Sequence, residues 1–190
     1  MTRNIILCGV GGQGTVLASR LISSAAMARR IPVLSAETIG MAQRGGSVFS
    51  HVRFGEGLFS PMIAHGEADL ILGFEPGEAV RMLPFLKPDG QVVVSSRAVM
   101  PVTAALADSG YRAEEMLDYL SVHTDHLAVV DADKALREVG SPKVLNLLLL
   151  GAAQRCGVLG LEMEDLKDAV RRIIPSRFHD LNLRALDYDP

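Results

Sequence analysis

The loop from Cys8 to Thr15 (CGVGGQGT) constrains this chain more than any other segment. Asn4 to Cys8 (NIILC) precedes it as a short apolar run of the kind a buried parallel strand shows. Gly9, Gly11 and Gly14 then fall at G-x-G-x-x-G spacing, with Gly12 and Gln13 inside the loop, and an apolar helical pattern runs from Val16 to Ala28. Strand, glycine turn and helix together are the context in which such a fingerprint carries meaning. Glycine lets backbone and ligand approach closely, and the new helix offers unpaired N–H groups and a positive dipole end to an anion. A second apolar run, Pro32 to Ala36, ends at Glu37, near where an acid meets a ribose hydroxyl in a dinucleotide fold. The same glycines would also serve a tight turn and close helix–strand packing, so spacing alone leaves both readings open.

The segment after Glu37 departs from a dinucleotide unit. Instead of a helix, the chain runs through Thr38-Ile39-Gly40-Met41 into Ala42-Gln43-Arg44-Gly45-Gly46-Ser47, then an alternating strand, Val48 to Phe54. Arg44, Gly45, Gly46 and Ser47 supply a guanidinium, backbone N–H groups and a hydroxyl, the chemistry of an anion cradle. A hairpin-like connection with Arg44 in solvent would use the same residues.

The rest of the chain alternates strands and helices. Strands are predicted at Asp69–Phe74, Gln91–Ser95 and Leu127–Val130. Helices are predicted at Gly77–Leu86, Ala113–Leu120, Asp131–Val139 and Lys143–Cys156, with Gly157 ending the last of these. Lys87 to Gly90 reads as a turn, and Leu161–Ile174 as the final helix, stopped by Pro175. This alternation implies an α/β fold: one Rossmann-like domain over residues 1–190, with a mostly parallel sheet and helices on both faces. The net charge of −3 gives no nucleic-acid footprint, and no apolar stretch reaches membrane-spanning length. A start that runs straight into a strand argues for a cytoplasmic protein. Hydrophobic content of 48% hints at apolar surface buried against partners, though parallel cores are apolar-rich too.

Two cysteines, Cys8 and Cys156, cannot ligate an iron–sulfur cubane, and no CxxC is present. Structural roles are expected for both, Cys8 at the end of the first strand and Cys156 on an apolar helix, without a disulfide. No nucleophile–base pair stands out, so no catalytic residue is assigned. His123-Thr124-Asp125-His126 lacks a third ligand at metal spacing and reads as an exposed loop. Glu78 and Arg81 fit an i, i+3 surface pair, whereas Glu75, at a strand's carboxyl end, is a candidate for a ligand- or subunit-facing role. Leu145 to Ala153 reads as a helix buried on most sides.

Taken together, GVGGQG after the first strand and SAETIGMAQRGGSVFSHVRFG resemble the gamma-type subunit of 2-oxoacid:ferredoxin oxidoreductases, a group that includes the small subunit of indolepyruvate ferredoxin oxidoreductase. The resemblance continues through Ser60-Pro61, Ala68 to Leu72, Phe74 to Arg81, Asn146 to Gly151 and Asn182 to Ala185. It implies an enzyme that oxidatively decarboxylates a 2-oxoacid to an acyl-coenzyme A and passes electrons to ferredoxin. It further implies that thiamine diphosphate and iron–sulfur clusters reside on partner subunits, so that the isolated chain is inactive. This subunit would contribute docking and coenzyme A handling. Gly9 to Gly14 and Arg44 to Ser47 are the positions carried over for anion or partner contact. The tail, Leu186-Asp187, departs from relatives that place an aromatic and a glycine there, and its shortness suggests no fused thiamine or ferredoxin domain. Two readings from other classes stand beside this one: a stand-alone NAD-dependent oxidoreductase using Gly9, Gly11, Gly14 and Glu37, and a non-catalytic scaffold.

Overall fold

In the computed structural model, which describes residues 2–37, 45–99 and 110–189, the chain builds one six-stranded sheet. It opens with β1 (Arg3–Val10) and α1 (Thr15–Ala28), as the apolar run and glycine turn require. Next come β2 (Val33–Glu37), β3 (Ser47–Phe54), β4 (Ala68–Gly73) and α2 (Pro76–Met82). β5 (Leu86–Ser95), α3 (Ala113–His123), β6 (Leu127–Val130) and α4 (Ala132–Val139) follow. The described chain closes with α5 (Leu145–Arg155), α6 (Met163–Ile173) and α7 (His179–Asp187).

The strand order is β2-β3-β1-β4-β5-β6. Three pairings are parallel, β1–β4, β4–β5 and β5–β6, and β3 runs antiparallel to both β1 and β2. The sheet is therefore mostly parallel, with β3 wedged between the two strands that a dinucleotide unit would place side by side.

Both faces of the sheet are covered. β1 sends Ile5 and Leu7 to the face packed by α1 and by α4 through α7, and Ile6 and Cys8 to the face packed by α2 and α3. Leu147, Leu148, Leu149 and Leu150 of α5 are all at most 1% exposed, so α5 is a core helix on every side. Each such leucine contributes roughly 2 kcal/mol of burial. α5 reaches α7 by very close packing: a Cβ at Gly151 would lie 2.1 Å from the carbonyl oxygen of Leu186.

Several boundaries differ from the sequence expectation. α7 follows the helix expected to be last. Its buried positions include Asn182 beside Ala185 and Leu186, and that polar residue interrupts the apolar stripe. α2 stops at Met82 and tightens into a 3₁₀ turn over Leu83–Phe85, because Pro84 has no N–H with which to continue the helix. The expected turn at Lys87–Gly90 lies inside β5, where register jumps from Ala68↔Leu86 to Leu70↔Gln91. α5 begins after a 3₁₀ turn over Pro142–Val144, and Cys156 sits exposed at its C-cap rather than within an apolar helix.

Candidate functional site

The two glycine-rich segments meet at the carboxyl end of β1. Gly11 N–H donates to the carbonyl of Gly46 at 2.8 Å, and Gly45 N–H donates back to the carbonyl of Gly11 at 3.2 Å. The antiparallel register Val10↔Ser47 and Gly9↔Val48 delivers both segments to this edge. Gln13 folds back to brace its own loop: its Oε1 accepts from Val10 N–H at 2.6 Å, and its Nε2 donates to Phe74 O at 2.9 Å. Gly14 caps α1 at φ 93°, a left-handed conformation natural to glycine, with the Asn146 carboxamide so close that a Cβ would lie 3.1 Å from its Nδ2. Asn146 is 3% exposed, and its carboxamide hydrogen-bonds no partner among the described residues.

Beside this crossover lies a cleft of about 240 Å³ lined by Gly11, Gly12, Gly14, Thr15 and Val16 and, from β3, by Val48. The N–H groups of Gly12, Thr15 and Val16 find no backbone acceptor among the described residues. This combination of free donors and a helix N-terminus suits an anionic group.

Beneath the edge lies a pair of acids that sequence reasoning weighed only in part. Glu75 and Glu78 are each 2% exposed. Glu75 caps α2, its Oε2 accepting from Glu78 N–H at 3.0 Å, while its Oε1 accepts the Tyr111 hydroxyl. Tyr111 in turn accepts from Gly77 N–H at 3.2 Å. Ser47 Oγ donates to Glu78 Oε2 at 2.5 Å. Glu78 is thus no surface residue. Its pairing with Arg81 is loose, at 3.7 Å, and the arginine is 67% exposed.

Burial raises the pKa of Glu75 against the opposing effect of its hydrogen bonds, and burial together with the hydrogen bond to Glu75 raises that of Tyr111. Cys8, fully buried in β1, has its thiol pushed well up by burial and then by Glu78 and Glu75. It is a packed, unreactive thiol.

Of the residues singled out from sequence, Gly9, Gly11, Gly12, Gln13, Gly14, Gly45, Gly46 and Ser47 share this edge. Arg44 lies outside the described residues. Glu37 ends the outer strand β2, where its Oε1 accepts from Ser19 Oγ at 2.5 Å. It faces a separate groove of about 950 Å³ that also takes in Arg20, Met27 and Arg172. Larger volume does not make that groove the better candidate: neither glycine-rich segment lines it. The signal that could have found Tyr111 is absent from its neighbourhood in sequence, because 36 residues separate it from Glu75.

His51 plays a local part on β3. Its Nδ1 accepts from Ile63 N–H at 3.2 Å, and its ring meets Phe49 and Phe85 edge-on. Burial, then Arg53, lowers its pKa, so the ring is held neutral. Among the described residues there is no cluster of three or more His, Cys, Asp or Glu able to hold a metal, and no helix long and apolar enough to cross a membrane.

An α/β sheet with a glycine-rich carboxyl edge is a fold shared by many proteins. Comparison with known sequences narrows it. Residues 4–188 match the pyruvate ferredoxin/flavodoxin oxidoreductase family, and the chain belongs to that family, as a gamma-type subunit of a 2-oxoacid:ferredoxin oxidoreductase. It is 38% identical over 186 residues to indolepyruvate oxidoreductase subunit IorB of Methanothermobacter thermautotrophicus, covering 97% of this chain and 94% of that one. It is 25% identical over 179 residues to the common gamma subunit of the pyruvate/ketoisovalerate oxidoreductases of Pyrococcus furiosus, covering 93% and 89%. Among solved structures, the PORC subunit of Thermotoga maritima pyruvate oxidoreductase shares the fold with a TM-score of 0.69 and 21% identity, over 98% of this chain and 93% of that one. The fold also occupies 30% of a chain of the 2-oxoglutarate:ferredoxin oxidoreductase of Magnetococcus marinus, with a TM-score of 0.66, 17% identity and 98% of this chain covered.

Proposed function

We propose that this chain serves an indolepyruvate-type 2-oxoacid:ferredoxin oxidoreductase in the cytoplasm, docking on subunits that carry thiamine diphosphate and iron–sulfur clusters and helping to hold coenzyme A. The observation that carries the reading is the crossover of the two glycine-rich segments beside a cleft lined by Gly12, Thr15 and Val16, whose N–H groups take no backbone acceptor among the described residues. Those donors and the α1 dipole suit a pyrophosphate. The Magnetococcus enzyme of similar fold was solved with coenzyme A and succinyl-CoA bound, which supports the same ligand class here. The indolepyruvate assignment rests on the identity to IorB subunits.

Two measurements test it. Gentle anaerobic purification of the tagged chain from its host is expected to bring down a thiamine-bearing, cluster-bearing partner that reduces a viologen dye with indolepyruvate; recovery of the chain alone overturns the subunit reading. In that assembled enzyme, Arg44→Ala is expected to raise the KM for coenzyme A about tenfold, the scale of one charge-assisted contact. A scaffold reading is favoured by one observation, that Gly11 and Gly45 spend their N–H groups on the crossover itself. Unchanged coenzyme A kinetics in Arg44→Ala decides for the scaffold.

A further inference from the structure

Ser47 and Tyr111 lie far apart in sequence, yet each is tied to a carboxylate at the start of α2. Ser47 Oγ donates to Glu78 Oε2 at 2.5 Å, and the Tyr111 hydroxyl donates to Glu75. The two acids are joined in turn by the bond from Glu78 N–H to Glu75 Oε2. The same turn also holds the first glycine-rich segment: Phe74 N–H donates to Cys8 O at 2.8 Å, and Phe74 O accepts from Gln13 Nε2 at 2.9 Å. Residues 74–78 therefore grip the 9–14 loop, the 45–47 segment and Tyr111 at once.

Two carboxylates that are 2% exposed, with a 67%-exposed arginine at 3.7 Å as the one counter-charge among the described residues, are an expensive way to fill space. An apolar pair of similar volume would pack there at lower cost. What the acids supply instead is directional acceptors, each fixing one distant segment in one place.

We propose that Glu78 is a positioning residue of the glycine-rich edge, holding Ser47 so that Gly45 and Gly46 stay in register with Gly11 and the cleft at the start of α1 keeps its shape. Glu78 acts through Ser47 and touches no ligand itself. The effect on coenzyme A rests on the proposed function above; the effect on the crossover does not.

Both are measured in the assembled oxidoreductase with Ser47→Ala, Ser47→Thr, Glu78→Gln and the Ser47→Ala/Glu78→Gln double variant. Hydrogen exchange by mass spectrometry reads the crossover. In Ser47→Ala and Glu78→Gln, exchange is expected to rise at least tenfold in peptides covering 9–14 and 45–48, with β4, β5 and α5 unchanged. Ser47→Thr, which keeps the hydroxyl, is expected to restore protection, and the double variant to exchange no faster than the faster single one. Exchange that is unchanged, or that rises evenly across the sheet, overturns the proposal, because an even rise is what a merely structural acid gives.

Steady-state kinetics then read the consequence. Ser47→Ala is expected to raise the KM for coenzyme A at least fivefold, while the KM for the 2-oxoacid moves less than twofold. If exchange changes as expected but neither Ser47→Ala nor Arg44→Ala moves the coenzyme A KM, the positioning role stands and the coenzyme A reading falls. If Arg44→Ala moves the KM and Ser47→Ala moves neither KM nor exchange, the coenzyme A reading stands and the positioning role falls.

Discussion

Both ends of β4 carry buried acids, and the two ends treat negative charge in opposite ways. At the start of the strand Asp69, 6% exposed, receives Lys87 Nζ at 2.5 Å, Arg3 Nη1 at 3.8 Å and the backbone N–H of Asn4 at 2.7 Å. Just past its other end Glu75 and Glu78 are met chiefly by neutral donors: a phenol, a serine hydroxyl and a backbone N–H. Asp69 is balanced by two cations and fastens β1, β4 and β5 together. Among the described residues the Glu75–Glu78 end has only the loose Arg81 contact as counter-charge, and it spends its acceptors on segments remote in sequence. One end is built for stability; the other tolerates a cost to place the glycine-rich edge.

The comparison breaks most visibly at Asp69. Asp69→Ala strips the partner from Lys87 and Arg3 and leaves Asn4 N–H unmatched. A loss of about 2–3 kcal/mol is expected, below the figure for a fully buried pair because Lys87 and Arg3 keep some solvent. Urea unfolding at constant slope measures it. A loss under about 1 kcal/mol means that the balanced end is not what holds the strands.

Tyr111→Phe removes the hydroxyl shared by Glu75 and Gly77, and about 1.5 kcal/mol is expected in the same assay. Equal stability for this variant and the parent chain would show that solvent already satisfies Glu75. A smaller effect separates the two ends by pH. Burial holds Glu75 above its ordinary 4.5, so the folded chain binds that proton more tightly than the unfolded chain. Its effect on stability therefore falls as pH rises from 4.5 through the folded value, and acidification from neutrality recovers it. Lys87 acts at the alkaline side: the hydrogen bond to Asp69 raises its pKa, so its contribution is whole below 10.5 and lost as pH climbs through the folded value. Melting temperature against pH should show the acid-side gain in the parent and not in Glu75→Gln. Superimposable curves for the two would assign that gain to other groups. Least affected is Arg81→Ala, where a 3.7 Å contact from a 67%-exposed side chain predicts under about 0.5 kcal/mol. A larger loss would make Glu78 a charge-balanced site like Asp69.

Local pattern was enough for the units whose information is local. The NIILC run, the glycine spacing and the Val16–Ala28 stripe identify β1 and α1 because strand, turn and helix each follow from neighbours a few residues apart. The glycine turn after β1 was legible for the same reason, but Glu75, expected to face a ligand or a subunit, is buried as the cap of α2 with its carboxylate taken by Glu78 N–H and Tyr111. α7 was missed because Asn182 occupies one of its buried positions, and Glu78 was misplaced to the surface because i, i+3 spacing with Arg81 describes a helix face without saying what covers it.

Composition, the strand–helix alternation and the chemistry of both glycine-rich segments were determined by the sequence itself. Only the tertiary structure decided that β3 inserts antiparallel between β1 and β2, that Glu37 ends on the outer strand, and that Ser47 and Tyr111 close on adjacent acids. Strand order and long-range pairing are set by how whole faces bury one another, and no window of neighbouring residues contains that energy.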